Sequence, residues 1–256
     1  MEVYSLFWFC ARVLDITARC LVTAVLYVTV LVAACVCIPL YCSVLYVGGL
    51  TPVQAQPLVR FLARVIIHAC GQRFRVEGEY PDLEHGPPLL YILLPHTSLL
   101  DAIILGAALK GHFTAVMAIE YFSIWFWGTM MRLHDVEPID RGNPETAIAR
   151  LNAAAERAFN KGRSLAMFIQ KTRTKEGGID DLRSGPYYIA RANGVRVVLV
   201  VIKGAATAVP KGLGWIKPDK IVVTFSRVIS PGEISELDSD GFKKLVQKEA
   251  GAILNN

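Results

Sequence analysis

Between Arg19 and Arg60 the chain carries no charged side chain. Within that stretch, Leu21 to Ile38 is nearly unbroken apolar sequence, long enough to read as a transmembrane helix. The helix of a soluble core seldom runs so far without charge, so a membrane segment is the first expectation. Pro39 interrupts the run, and Leu40 to Leu50 continues it as far as Gly48-Gly49 and Thr51-Pro52. Two arrangements fit. One is a single tilted span of about 25 residues. The other is a helical hairpin that enters the membrane, bends near Pro39 and leaves on the same side. Upstream, Tyr4, Phe7, Trp8 and Phe9 suit a bilayer interface. No basic segment precedes the apolar core, so no cleaved signal peptide is expected. Arg60, Arg64, Arg73 and Arg75 follow the apolar run and outweigh Arg12 and Arg19, which Glu2 and Asp15 offset. The positive-inside tendency then places residues 60–256 on the cytoplasmic side.

The remaining length, out of 256 residues, suffices for one α/β domain, so we divide the chain into membrane-anchoring helices over 1–70 and an α/β domain over 71–256. A formal charge of +5 suits an anionic membrane surface or an anionic substrate, and no basic run is dense enough for nucleic acid. All six cysteines (Cys10, Cys20, Cys35, Cys37, Cys42 and Cys70) precede residue 71, most of them in or beside the uncharged stretch, where they read as small hydrophobes. His85, His112 and His134 lack metal-ligand spacing, so no metal is expected.

From about residue 72, short apolar runs alternate with longer helical segments, the pattern of a sheet covered by helices. Strands are predicted at 73–77, 89–94, 113–119, 136–139, 164–169, 195–202 and 220–228. Helices are predicted at 102–110, 121–132, 144–160, 186–192 and 242–253. Pro144 at the start and Gly162 after the end mark the clearest of these. Residues 170–185 read as a basic, glycine-containing loop. Tyr121, Phe122, Trp125, Phe126 and Trp127 cannot all share one helix face, so some must meet lipid, an acyl chain or another chain.

The run Leu89 to Leu94 ends at Pro95 and leads into His96-Thr97-Ser98-Leu99-Leu100-Asp101. A histidine at a strand end with a carboxylate five positions on can fold back into a hydrogen-bonded pair. The carboxylate would orient the imidazole, hold one tautomer and raise its basicity, which equips it to take a proton from a hydroxyl. Ser98 lies close by, but no Gly-x-Ser-x-Gly elbow exists, which argues against a serine hydrolase. Three further segments fall at strand ends, where open α/β sheets place ligands, and one of them, Val195 to Ile202, reads as core. Pro138-Ile139-Asp140-Arg141-Gly142 offers an arginine suited to an anion or to solvent. Phe168 to Lys175 offers Lys171, Arg173 and Lys175, a set suited to clamping phosphate or to simple solvation.

In their order these segments resemble the glycerolipid acyltransferase family that includes 1-acyl-glycerol-3-phosphate acyltransferases. Its His-x-x-x-x-Asp block is matched by His96 and Asp101, and its Ile-Asp-Arg by Ile139-Asp140-Arg141. Its Phe-Pro-Glu-Gly-Thr-Arg-Ser block is matched in part by Phe168, Thr172 and Arg173. Its apolar fourth block is matched by Val195 to Ile202 without the proline, Arg196 and Leu199 taking the corresponding places. Glu120 and the aromatic segment around it also resemble the family. Gln170-Lys171 stands where that family carries Glu-Gly, and Pro95 where an asparagine is common. The resemblance implies a mixed central sheet flanked by helices behind an apolar helical anchor. It implies acyl transfer from a thioester of coenzyme A or acyl carrier protein, with no other cofactor, to the hydroxyl of a lysophospholipid in phospholipid biosynthesis. His96 would be the base and Asp101 its partner. Arg141, Lys171, Thr172 and Arg173 would bind the acceptor, and amides near the start of the helix after His96 would stabilise the oxyanion. Glycerol 3-phosphate, a sugar or an amino-lipid are alternative acceptors, and a lipid-binding relative without turnover is the alternative to an enzyme.

Overall fold

The computed structural model describes residues 2–255 apart from 82–85, 87, 99, 141, 143, 171, 175–177, 180 and 209–214. Its centre is a seven-stranded mixed sheet in the order β1-β7-β6-β2-β5-β3-β4. The strands are β1 (Arg73–Glu77), β2 (Leu89–Leu94), β3 (Phe113–Ala118), β4 (Glu137–Ile139), β5 (Ser164–Phe168), β6 (Arg196–Lys203) and β7 (Lys220–Ile229). All neighbours pair parallel except β6 with β7, which are antiparallel with an irregularity between Val198 and Val200. Parallel strands need helical crossovers and are covered on both faces, so the inner ones read as continuous apolar runs. All six residues of β2 are buried. At the edge, β1 alternates exposed and half-buried residues instead.

The helices are α1 (Glu2–Tyr46), α2 (Gln56–Ala69), α3 (Asp101–Ala108), α4 (Trp125–Leu133), α5 (Pro144–Asn160), α6 (Gly185–Asn193), α7 (Ala205–Ala208), α8 (Pro231–Ser235) and α9 (Ser239–Asn255). A single rule of handedness distributes several of them. From β2 the chain crosses to β3 in one direction along the sheet through α3. From β4 to β5 and from β5 to β6 it crosses back through α5 and α6. Right-handed crossovers in opposite directions put their helices on opposite faces. Accordingly α3, with α2, packs on Leu89, Tyr91 and Leu93. Residues of α5, α6 and α9 pack on Leu90, Ile92 and Leu94, the alternate positions of the same strand.

Of the two arrangements open to the amino-terminal segment, the one with a bend near Pro39 is not formed. Helix α1 runs through Pro39, and the turn comes after Tyr46, at Gly48 and at Gly49 with φ +65°. A proline inside a helix forfeits one hydrogen bond, whereas Gly49 adopts the left-handed backbone that ends helices readily. The returning arm, α2, is amphipathic and packs on both α1 and α3. Between Arg12 and Tyr46, α1 is long and apolar enough to cross a membrane. At 1.5 Å per residue it extends about 50 Å, more than a bilayer core is thick. One side of it, including Leu21, Val25, Val28, Leu31, Val32, Val36 and Leu40, faces outward. The other side buries Cys37, Tyr41 and Leu45 against Ala55 and Leu62, with Met130 and Leu133 of α4 packed beside them.

The segment expected as one helix over 121–132 is divided. A 3-10 turn, Ile119–Ser123, is followed by extended Ile124 and then α4. Gly128 permits the break, because a Cβ there would collide with the Phe122 carbonyl oxygen. Arg132 Nη2 donates to the same oxygen at 3.1 Å.

Candidate active site

The end of β2 delivers His96 to a turn that doubles back onto the start of α3. Asp101, the first residue of α3, receives three hydrogen bonds at one oxygen. His96 Nδ1 lies 2.7 Å from Asp101 Oδ2, and the amides of Thr97 and Ser98 donate to that oxygen at 2.9 and 3.1 Å. Ser98 Oγ in turn accepts from Leu100 N at 3.1 Å. A carboxylate there also gains from the partial positive charge of the helix amino terminus. Since a carboxylate only accepts, Nδ1 carries the proton and Nε2 presents its lone pair. The aspartate side chain is 2% exposed and that of His96 17%, so the pair is sheltered while the ring stays reachable.

Phe168, at the end of β5, stacks on the imidazole with ring centroids 4.1 Å apart. Gln170 and Thr174 hold the His96 backbone. His96 N donates to Gln170 Oε1 at 2.7 Å, and Thr174 N donates to the His96 carbonyl at 2.8 Å. No role for Gln170 or Thr174 was legible in the sequence. Phe168 was visible as a strand-end residue, but its stacking was not.

His96 and Asp101 open into a cavity of about 440 Å³. Thr172 and Arg173 line it at one side, and Ile103, Leu105, Met117, Ile124, Trp127 and Phe168 give it an apolar wall. Of the aromatic cluster, Tyr121 and Trp127 reach this cavity, while Phe122 is buried beneath Arg132. Glu120 is exposed on the 3-10 turn. The side chains of Trp125 and Phe126 lie outside the described residues, as do Arg141 and Lys171. The structure thus gathers four of the six expected site residues, His96, Asp101, Thr172 and Arg173, around one space. Three amides just before α3 are already engaged within the turn. The amides of Thr97, Ser98 and Leu100 are engaged by Asp101 and Ser98, because the turn uses them to hold the carboxylate.

A second cavity, of about 330 Å³, shares Ile103, Leu105, Met117 and Trp127 with the first. Its far side is built from Cys37, Ile38 and Tyr41 of α1, Leu62 and Ile66 of α2, and Met130 and Met131 of α4. Tyr41 Oη lies 2.6 Å from His134 Nε2 at its edge. Burial, reinforced by the Arg163 charge, lowers the His134 imidazole below its ordinary range.

The family model described as Acyltransferase matches residues 53–203, which hold both members of the pair and both sides of the first cavity. The chain belongs to the acyltransferase family. Similar proteins include a 1-acyl-sn-glycerol-3-phosphate acyltransferase of Cocos nucifera, 27% identical over 68% of this chain and 55% of the relative. A chloroplastic protein of the same description from Arabidopsis thaliana is 29% identical over 49% of this chain and 34% of the relative. The chain therefore spans about half or less of the length of these relatives. Among solved structures, the 1-acyl-sn-glycerophosphate acyltransferase PlsC of Thermotoga maritima superposes with a TM-score of 0.74 at 22% identity, over 92% of this chain and 96% of that one. This acyltransferase chain and PlsC share the mixed sheet flanked by helices.

Proposed function

We propose that this acyltransferase moves a fatty acyl group from a thioester, of coenzyme A or acyl carrier protein, to the free hydroxyl of a lysophospholipid. Lysophosphatidic acid is the favoured acceptor and phospholipid biosynthesis the setting. The observation that carries the reading is a His-Asp pair, tautomer set, facing a largely apolar cavity that has Arg173 at its rim. The names of the relatives support the choice of acceptor.

His96 Nε2 takes the proton from the acceptor hydroxyl as its oxygen attacks the thioester carbonyl. Asp101 stabilises the imidazolium that forms. The tetrahedral intermediate collapses by breaking the carbon–sulfur bond, and the imidazolium returns its proton to the departing thiolate. The products are the ester and the free thiol, and no further cofactor is needed. Thr172 and Arg173, with Lys171 and Arg141, hold the acceptor phosphate. The apolar wall around Ile103 and Trp127 takes the acyl chain, and the second chamber continues it toward α1. Helices α1 and α2 attach the protein to the membrane, and the basic residues from Arg60 onward favour a cytoplasmic position for the sheet domain.

Positioned proton transfer contributes about 10²–10⁴-fold in rate. His96→Ala is expected to abolish detectable transfer from acyl-coenzyme A to lysophosphatidic acid while still sedimenting with membranes. Near-normal turnover by that variant overturns the proposal, and a panel of lyso-acceptors tests the choice of lysophosphatidic acid.

A further inference from the structure

One segment holds both polar groups of the His96 peptide. The His96 N–H donates to Gln170 Oε1 at 2.7 Å, and the His96 carbonyl accepts from Thr174 N at 2.8 Å. Gln170 is only 3% exposed, and the other end of its side chain is also engaged. Its Nε2 donates to the Gly178 carbonyl at 2.9 Å. The base of the segment is closed by an antiparallel bridge between Gln170 and Leu182, and by Arg183 N donating to the Ile169 carbonyl at 2.9 Å. One amide side chain therefore fastens the turn bearing the histidine to the far side of the loop that brings Thr172 and Arg173 to the cavity.

Only an amide performs both tasks. A carboxylate can accept from His96 N, but when ionised it has no proton for the Gly178 carbonyl and sets two acceptors against each other. Alanine does neither. The block that this segment resembles carries glutamate followed by glycine at these places, so the bridge to Gly178 is open to this chain through its own glutamine.

We infer that Gln170 is a positioning residue that couples the acceptor-binding loop to the catalytic histidine, so that seating a phosphate-bearing acceptor and aligning the base are one event. The inference rests on the acyl-transfer reading of this site. An anionic head group held by the loop draws on Gln170 and Thr174 together, and both end on the His96 peptide. Cutting the Gly178 end of that side chain frees the loop and leaves the turn held through His96 N.

The test compares Gln170→Glu with Gln170→Ala in the full chain, in lipid–detergent micelles. It uses amide hydrogen exchange together with kinetics on lysophosphatidic acid and an acyl-coenzyme A. Gln170→Glu keeps the partner of His96 N and loses the donor to Gly178. Exchange over residues 172–179 should quicken about five- to tenfold, the worth of one net hydrogen bond, while residues 96–101 keep the wild-type rate. The acceptor KM should rise by a larger factor than kcat falls. Gln170→Ala should quicken exchange in both segments and lower kcat by at least the factor by which KM rises. Unchanged exchange in β6 serves as the folding control, and if Gln170→Ala does not fold, the Gln170→Glu comparison decides alone. A Gln170→Glu protein that loosens the His96 turn as much as the loop, or loosens neither, overturns the inference. If the wild type transfers no acyl group yet the exchange pattern holds, the acyl-transfer reading falls and the mechanical coupling of loop and turn stands.

Discussion

Asp101 serves the site through a single oxygen. The two backbone amides that converge on Oδ2 want an acceptor there, and so does the Nδ1–H of His96. In Asp101→Asn the amide oxygen can occupy that place and keep the ring oriented, because its NH2 would face two donors if reversed. What disappears is the negative charge opposite the imidazolium. We expect kcat to fall about 10²-fold, toward the lower end of what general-base assistance supplies, with a circular dichroism spectrum like that of the wild type. Asp101→Ala should also cost about 1–3 kcal/mol of stability in chemical denaturation, since it leaves buried amides without a partner. This part of the site was legible in the sequence because it is local, one strand end and five residues. Gln170 was not, because its partner is 74 residues away and they meet only because β5 lies beside β2.

At the level of elements, the break between the 3-10 turn and α4 rests on Gly128. Gly128→Val should destabilise the protein by about 2–4 kcal/mol, since the Phe122 carbonyl is backbone and cannot step aside. It should also move Trp127, which stands in the wall between the chambers, so thermal melting and acyl-donor preference should change together. The junction of α1 with α4 should respond to pH. Burial holds His134 below its ordinary value of 6.5, so just below pH 6.5 the unfolded chain binds a proton that the folded chain refuses. Stability is then complete above pH 6.5 and declines as the pH falls through it. Melting of the detergent-solubilised protein at pH 5.5 and 7.5 should show that loss, and His134→Gln should reduce it. The inner strands were readable because burial on both faces makes them uninterrupted apolar runs. Helix α2 was harder to read. Its apolar residues Leu62, Ala63, Ile66 and Ile67 continue the preceding run, and only Arg60 and Arg64 one turn apart reveal its periodicity. Pro39 left both a span and a bend open, and the helix continues through it where Cys37, Tyr41 and Leu45 pack on the body.

Across the whole molecule, crossover handedness puts α3 on the histidine side of the sheet, α2 packs on α3, and α1 packs on α2. Burial of β2 on both faces could be read from its unbroken apolar run. Which helix covers which face could not, because it depends on strand order, and strand order is a matter of long-range pairing. The result is that Cys37, Ile38 and Tyr41, which read as membrane sequence, are also walls of a chamber that adjoins the candidate active site. A water-soluble version made by trimming is therefore out of reach. A chain begun after residue 46 would lose one side of that chamber and bare α2 and α4. It should aggregate on size-exclusion chromatography, or, if kept dispersed by detergent, lose its preference among acyl-chain lengths before it loses turnover on short ones.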